Sequence, residues 1–94
     1  MEMATNIRVV TKEGCPPCRY VKRVLQDLQR EIPGLSVEEV DFGSAEGMKL
    51  AVEHQVLYPP AVFMGGALLL KGKIHENALR EAIHSRLEAG NKVV

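Results

Sequence analysis

Two consecutive prolines, Pro16 and Pro17, separate the only two cysteines of the chain, Cys15 and Cys18, and they fix where a helix can start. Proline has no N–H and holds its φ near −65°, so it suits the first turn of a helix and breaks the interior of one. Before the four residues stands the apolar run Ile7-Arg8-Val9-Val10, and residues 6 to 11 read as a short buried strand. After them, from Pro17 to about Arg30, Val21, Val24, Leu25 and Leu28 recur at helical spacing. Arg19, Lys22, Arg23, Asp27 and Arg30 fall on the opposite, wet face. A Cys-x-x-Cys pair at such a strand–helix junction can close a small disulfide and open it again. The positive potential of the helix N-terminus favours a thiolate on the first sulfur. The expected chemistry is exchange of two electrons and two protons with another dithiol or disulfide.

The rest of the chain alternates in the same way. Ile32-Pro33-Gly34 stops the first helix, and Ser36 to Asp41 reads as a second strand. Ser44 is a reasonable N-cap for a short helix over residues 45 to 54, with Met48, Ala51 and Val52 expected to face inward. Leu57-Tyr58-Pro59-Pro60 ends that helix. Ala61–Met64, Gly65-Gly66 and Ala67–Leu70 then read as a hairpin. Residues 75 to 89 form a third helix with Leu79, Ala82, Ile83 and Leu87 inward, stopped by Gly90, with residues 90 to 94 expected as a frayed tail. Phe42 and Leu57 are expected in the core. Strands joined by a full helix should pair in parallel, and the glycine hairpin must be antiparallel.

At 94 residues this is a single domain, residues 1 to 94. Zero net charge gives no attraction to nucleic acid or to an anionic membrane, and four aromatic residues are too few for a base-stacking platform. No apolar stretch approaches the roughly 20 residues of a membrane span. Residues 1 to 6 lack a basic segment followed by an apolar one, so a cytoplasmic location is expected. In that compartment a lone Cys-x-x-Cys signals redox or metal chemistry rather than a structural bridge.

The order β-α-β-α-β-β-α, with Cys-Pro-Pro-Cys at the first strand–helix junction and proline before the hairpin, resembles the thioredoxin fold in its minimal, glutaredoxin-sized form. Three segments carry the resemblance, which spans roughly residues 6 to 88. Lys12-Glu13-Gly14-Cys15-Pro16-Pro17-Cys18 with Lys22 and Leu25 is similar to the glutaredoxin pattern K-x-x-C-P-Y-C-x-x-x-K-x-x-L. Pro60 to Gly66 resembles the family's cis-proline strand and turn. Gly72-Lys73-Ile74, followed by Leu79 and Ile83, is similar to the segment in which a glycine borders the active site. The resemblance implies an α/β fold with a four-stranded mixed sheet flanked by three helices. It also implies a Pro59-Pro60 peptide bond that is cis and lies against the cysteines. Departures are equally specific. Gly14 stands where thioredoxins have tryptophan, and Val9 where they have a buried aspartate. His75-Glu76-Asn77 lacks the acidic pair with which glutaredoxins hold glutathione, and Pro59 has no N–H to offer a substrate.

Cys15, at the N-cap, is the expected nucleophile, and Cys18, inside the first turn, the resolving thiol. Lys12 and Arg19 add positive field. Pro16 and Pro17 remove two first-turn donors, leaving the amide of Cys18 nearest to the Cys15 sulfur. The expected substrate-contacting set is Lys12, Pro16, Pro17, Tyr58, Pro59, Pro60 and Gly72. The expected activity is reduction of protein disulfides by a monomer whose only redox group is the Cys15–Cys18 disulfide, with a reductase or glutathione as electron donor. Two alternatives remain: a glutathione-dependent glutaredoxin, and a metal or iron–sulfur carrier. Zinc wants four ligands, and His54, His75 and His84 have no ligand spacing to the cysteines or to each other. A cluster shared by two chains would use two Cys-x-x-Cys pairs.

Overall fold

A computed structural model describes residues 5 to 91. The elements run β1 (Thr5–Thr11), α1 (Pro16–Glu31), β2 (Leu35–Asp41), α2 (Ala45–Glu53), β3 (Ala61–Met64), β4 (Ala67–Lys71) and α3 (Glu76–Asn91). They form one four-stranded sheet in the order β2-β1-β3-β4. β1 and β2 are parallel, with Val9 opposite Glu39; β3 is antiparallel to both β1 and β4. The expected order, the parallel pair and the hairpin are all present, and the fold is the mixed α/β sheet that the sequence implies.

Side chains alternate across the sheet and sort the core into two layers. Ile7, Val9, Val62 and Met64 pack with Val21, Val24, Leu25 and Leu28 of α1 and Leu79 and Ile83 of α3. On the other face Val10, Val40, Ala61 and Phe63 pack with Val56 and, at the edge, with Leu50 and Ala51 of α2. All four residues of β3 are buried, because helices cover it on both sides. Arg80 of α3 grips Glu31 of α1 with two hydrogen bonds and pairs with Glu76, tying the two helices together beside the core. These partners push the Arg80 guanidinium pKa upward and hold the Glu31 carboxyl below the usual range.

Three sequence expectations are corrected. Met48 and Val52 do not face inward: they are 57% and 77% exposed. The reason is Gly47, whose missing side chain lets α2 lie directly on the Asp41–Phe42 backbone, so Gly47 is buried while Leu50 and Ala51 are half-buried against the sheet. Leu57 is 86% exposed rather than in the core, whereas Phe42 packs at the core's edge. Gly90 does not end the last helix, which runs to Asn91; one glycine costs a helix only about 1 kcal/mol. Residues 92 to 94 of the expected tail lie outside the described residues.

Candidate active site

β1 delivers its C-terminal end into Lys12-Glu13-Gly14, and Gly14 takes a positive φ of 76° that turns the chain into α1. Cys15 is the N-cap of that helix, with prolines at the first two helical positions. Its sulfur accepts one hydrogen bond, from the Cys18 amide at 3.2 Å, as the removal of the other donors predicts. The first turn carries no acidic side chain to offset the positive potential of the helix N-terminus. Cys15 and Cys18 are joined as a disulfide, with Cα atoms 5.2 Å apart. The two sulfurs differ in access: Cys15 is half-buried, and Cys18 is 2% exposed.

Cys18 backs onto a polar cleft of about 510 Å³, whose other charged and polar lining is Thr11, Lys12, Glu13, Arg19, Lys22, Glu39 and Asp41. Thr11 is buried, and its hydroxyl donates to Glu39 at 2.5 Å; Lys22 Nζ holds the same carboxylate oxygen at 3.1 Å. These two hydrogen bonds, Thr11's first, hold the Glu39 carboxyl below the usual carboxylate range. Glu39 and Thr11 were not singled out in the sequence. The signal was available only through the register, which sets Glu39 opposite Val9, the position where the resemblance would have an acid.

The Pro59-Pro60 bond is cis. Val10 pairs with Ala61, so the end of β1 that leads to Cys15 runs beside the start of β3, which Pro60 heads. Pro60 is fully buried and its carbonyl accepts from the Gly72 amide at 2.9 Å. Tyr58 is exposed and folds over Gly72, where a Cβ would lie 3.7 Å from the tyrosine hydroxyl. Pro16 and Pro17 are exposed beside Cys15, and Pro59 is half-buried. The expected residues thus fall into two groups. Lys12 and Cys18 share the polar cleft, and Tyr58 and Gly72 share a second, smaller pocket with Leu57. His54 caps α2 edge-on to Phe63, with ring centroids 4.9 Å apart; His75 and His84 are exposed. Among the described residues no cluster of three or more His, Cys, Asp or Glu side chains is placed to hold a metal ion.

Over 82 residues the chain is 31% identical to a thioredoxin of Methanocaldococcus jannaschii, a match covering 87% of this chain and 95% of that one. The chain belongs to the thioredoxin family. A probable thioredoxin of Methanothermobacter thermautotrophicus is 28% identical over 87 residues, covering 92% of this chain and 100% of that one. Among solved structures, oxidised mitochondrial thioredoxin 3 of Saccharomyces cerevisiae shares the fold, with a TM-score of 0.65 at 24% identity over 87% of this chain and 78% of that one. No protein-family model matches. A thioredoxin-family chain whose Cys-x-x-Cys pair is joined at the N-terminus of its first helix is a thiol–disulfide oxidoreductase.

Proposed function

We propose that this thioredoxin-family protein reduces the disulfides of partner proteins and is recharged by a reductase rather than by glutathione. The observation that carries the roles of the two thiols is the unequal access of the two sulfurs. In the reduced protein the Cys15 thiolate attacks a partner disulfide; a Cys15–partner S–S bond forms, and the first partner sulfur leaves as a thiolate that takes up a proton. Cys18 then loses its proton, attacks the Cys15 sulfur and releases the second partner thiol. The chain ends as the Cys15–Cys18 disulfide, and the partner has gained two electrons and two protons. The pair is itself the redox group, and no other cofactor enters.

The choice of electron donor rests on the start of α3. Glu76 is the only acid there; its carboxylate is bound by Arg80 at 2.9 Å, and its amide donates to the Tyr20 hydroxyl at 3.2 Å. That leaves no free acidic pair for the amino group of glutathione. Lys12 is the feature that would favour glutathione, and it stands alone in this respect. No helix among the described residues is long and apolar enough to cross a membrane, and the chain is neutral overall. Zero net charge gives the chain no general attraction to nucleic acid or anionic lipid, and the reading takes it as a cytoplasmic monomer that meets proteins. The test is to follow reduction of the oxidised protein by NADPH with thioredoxin reductase and, separately, by glutathione at matched potential. Faster reduction by glutathione would replace this reading with the glutaredoxin one.

A further inference from the structure

Strand alternation puts Leu35, Val37 and Glu39 on one face of β2, and Ile7, Val9 and Thr11 on the same face of β1. α1 packs on that face. Leu35, Ile7 and Val9 are buried there, and Val37 packs against them. Toward the C-terminal ends of the two strands the apolar pattern breaks. Thr11 is the one buried polar side chain among the described residues, and Glu39 is an acid. Lys22 meets them from α1, one helical turn after Cys18, and all three line the cleft onto which Cys18 backs. The Thr11 hydroxyl and Lys22 Nζ donate to the same Glu39 oxygen, at 2.5 and 3.1 Å. Two roles are open to a carboxylate in this place: it takes the proton of Cys18, or it acts as a fixed charge. Its hydrogen bonds decide. Both donors favour the ionised form and hold the carboxyl below its usual range. It is then too weak a base to compete for the proton of a thiol, whose ordinary pKa is about 8.5. What it does hold is an ammonium. A free lysine one turn from Cys18 would stabilise a thiolate there.

We infer that Glu39 is a positioning residue of the redox site: anchored by Thr11, it ties Lys22 down against β2, withholds that cation from the Cys18 sulfur and keeps the dithiol the stronger reductant. The inference rests on the thiol–disulfide reading above, because it concerns the same pair. It bears on the resolving step. There Cys18 gives its proton to water, its sulfur bonds to the Cys15 sulfur, and the Cys15–partner bond breaks with its electron pair on the partner sulfur. A cation at Cys18 eases the loss of the proton. It also stabilises the reduced pair, and so weakens its drive to give up electrons. The remaining charges of the cleft balance, Lys12 and Arg19 against Glu13 and Asp41. Breaking the Lys22–Glu39 pair from either side therefore tips the local charge, in opposite directions.

The experiment compares wild type with Glu39→Gln, Lys22→Met and the double variant. Each substitution removes a charge at nearly constant length, and the Lys22 and Glu39 side chains are 37% and 50% exposed, so the fold is kept, which circular dichroism verifies. Two quantities are read at neutral pH. One is the dithiol–disulfide equilibrium in dithiothreitol buffers. The other is the second release of thionitrobenzoate when the reduced protein meets Ellman's reagent, which reports the resolving step. Glu39→Gln should shift the equilibrium toward the dithiol roughly threefold, about 14 mV for a two-electron couple, and speed the second release. The shift is modest because water screens half-exposed charges. Lys22→Met should move both quantities the other way, and the double variant should return close to wild type, since the two charges cancel. A structural role would move both single variants in the same direction. Single variants that shift the equilibrium the same way, or not at all, overturn the inference. A slower second release from Glu39→Gln overturns it too and makes Glu39 the proton acceptor. A wild-type pair that dithiothreitol buffers neither open nor close sinks the underlying redox reading, and this inference with it.

Discussion

Gly47→Ala should destabilise the protein even though alanine is the better helix former. In an unobstructed helix the change would stabilise by about 1 kcal/mol. Here a Cβ at position 47 would lie 2.9 Å from the Asp41 carbonyl carbon and 3.1 Å from the Phe42 Cα, and closer still to the Asp41 carbonyl oxygen. Carbon atoms pack best at about 3.5 to 4.0 Å, and the obstacles are backbone, which has no rotamer to change. The start of α2 has to lift from the end of β2. That movement threatens the cap. Ser44 Oγ accepts from the Gly47 amide at 3.0 Å and donates to the Asp41 carbonyl at 2.7 Å. Overpacking typically costs about 1 to 3 kcal/mol, and a lost N-cap about 1 kcal/mol more. Against the gain in helix propensity, the net loss is about 2 kcal/mol, or a fall in Tm of roughly 8 to 16 °C for a chain of this size. Urea and thermal unfolding of oxidised wild type and variant measure it. Gly43→Ala is the control, because its one near neighbour is the Asp41 carboxylate at 3.3 Å, a side chain that can turn aside; its change should stay within about 0.5 kcal/mol. A Gly47→Ala protein as stable as wild type would refute the close-packing account of why α2 turns Met48 and Val52 outward.

Cys15→Ser should abolish disulfide reduction, while Cys18→Ser should accumulate a mixed disulfide with insulin, visible by non-reducing electrophoresis; a Cys18→Ser protein that resists alkylation at neutral pH would reverse the assigned roles. Pro17→Ala restores a first-turn amide that can donate to the Cys15 sulfur, and it should speed iodoacetamide alkylation of the reduced protein at pH 7 several-fold, because roughly half of the gain of about 1.5 to 3 kcal/mol in thiolate stability is offset by the lower nucleophilicity of a more acidic thiol; an unchanged or slower rate counts against the donor argument. Thr11→Val removes the larger of the two hydrogen bonds that lower the Glu39 pKa. A carboxyl depressed on folding stabilises above its unfolded value of about 4.3 and loses that stabilisation as pH falls through the folded value. The stability gap between wild type and Thr11→Val should therefore narrow from about pH 5 to about pH 3, and a gap independent of pH would contradict it.

Most of the fold is legible because it is written in local signals. Val21, Val24, Leu25 and Leu28 give α1 its buried stripe, Pro16-Pro17 its start, Gly65-Gly66 the hairpin and Ser44 the α2 cap, and each is found where those residues place it. The Cys-Pro-Pro-Cys pair and the cis bond at Pro60 were legible as well, the first from spacing and the second from resemblance. What failed was orientation. Helical periodicity shows that α2 has an apolar side, but Met48 and Val52 compete with Leu50 and Ala51 for it. The decision falls to Gly47, whose value appears only when the Asp41 backbone is brought against it. Glu39 was missed for a related reason. It reads as a polar residue on a half-exposed strand, and its tie to Thr11 and Lys22 joins three elements far apart in sequence.

Four of the chain's five prolines stand in two pairs, and both pairs strip main-chain donors from the same end of the sheet. At Pro16-Pro17 the effect is on charge. A sulfur that could have accepted several amides accepts only that of Cys18, so its thiolate depends on the helix potential and on nearby cations rather than on a nest of N–H groups. At Pro59-Pro60 the effect is on recognition. A strand-like partner laid along the loop finds no donor there, and the one carbonyl of Pro60 is occupied by Gly72. Backbone pairing is largely indifferent to side chains, whereas apolar and charged contacts depend on them. Leu57, Tyr58 and Lys73 stand exposed beside a loop that offers no amide donor at its two prolines, so side-chain contacts there vary with the partner in a way that backbone pairing does not.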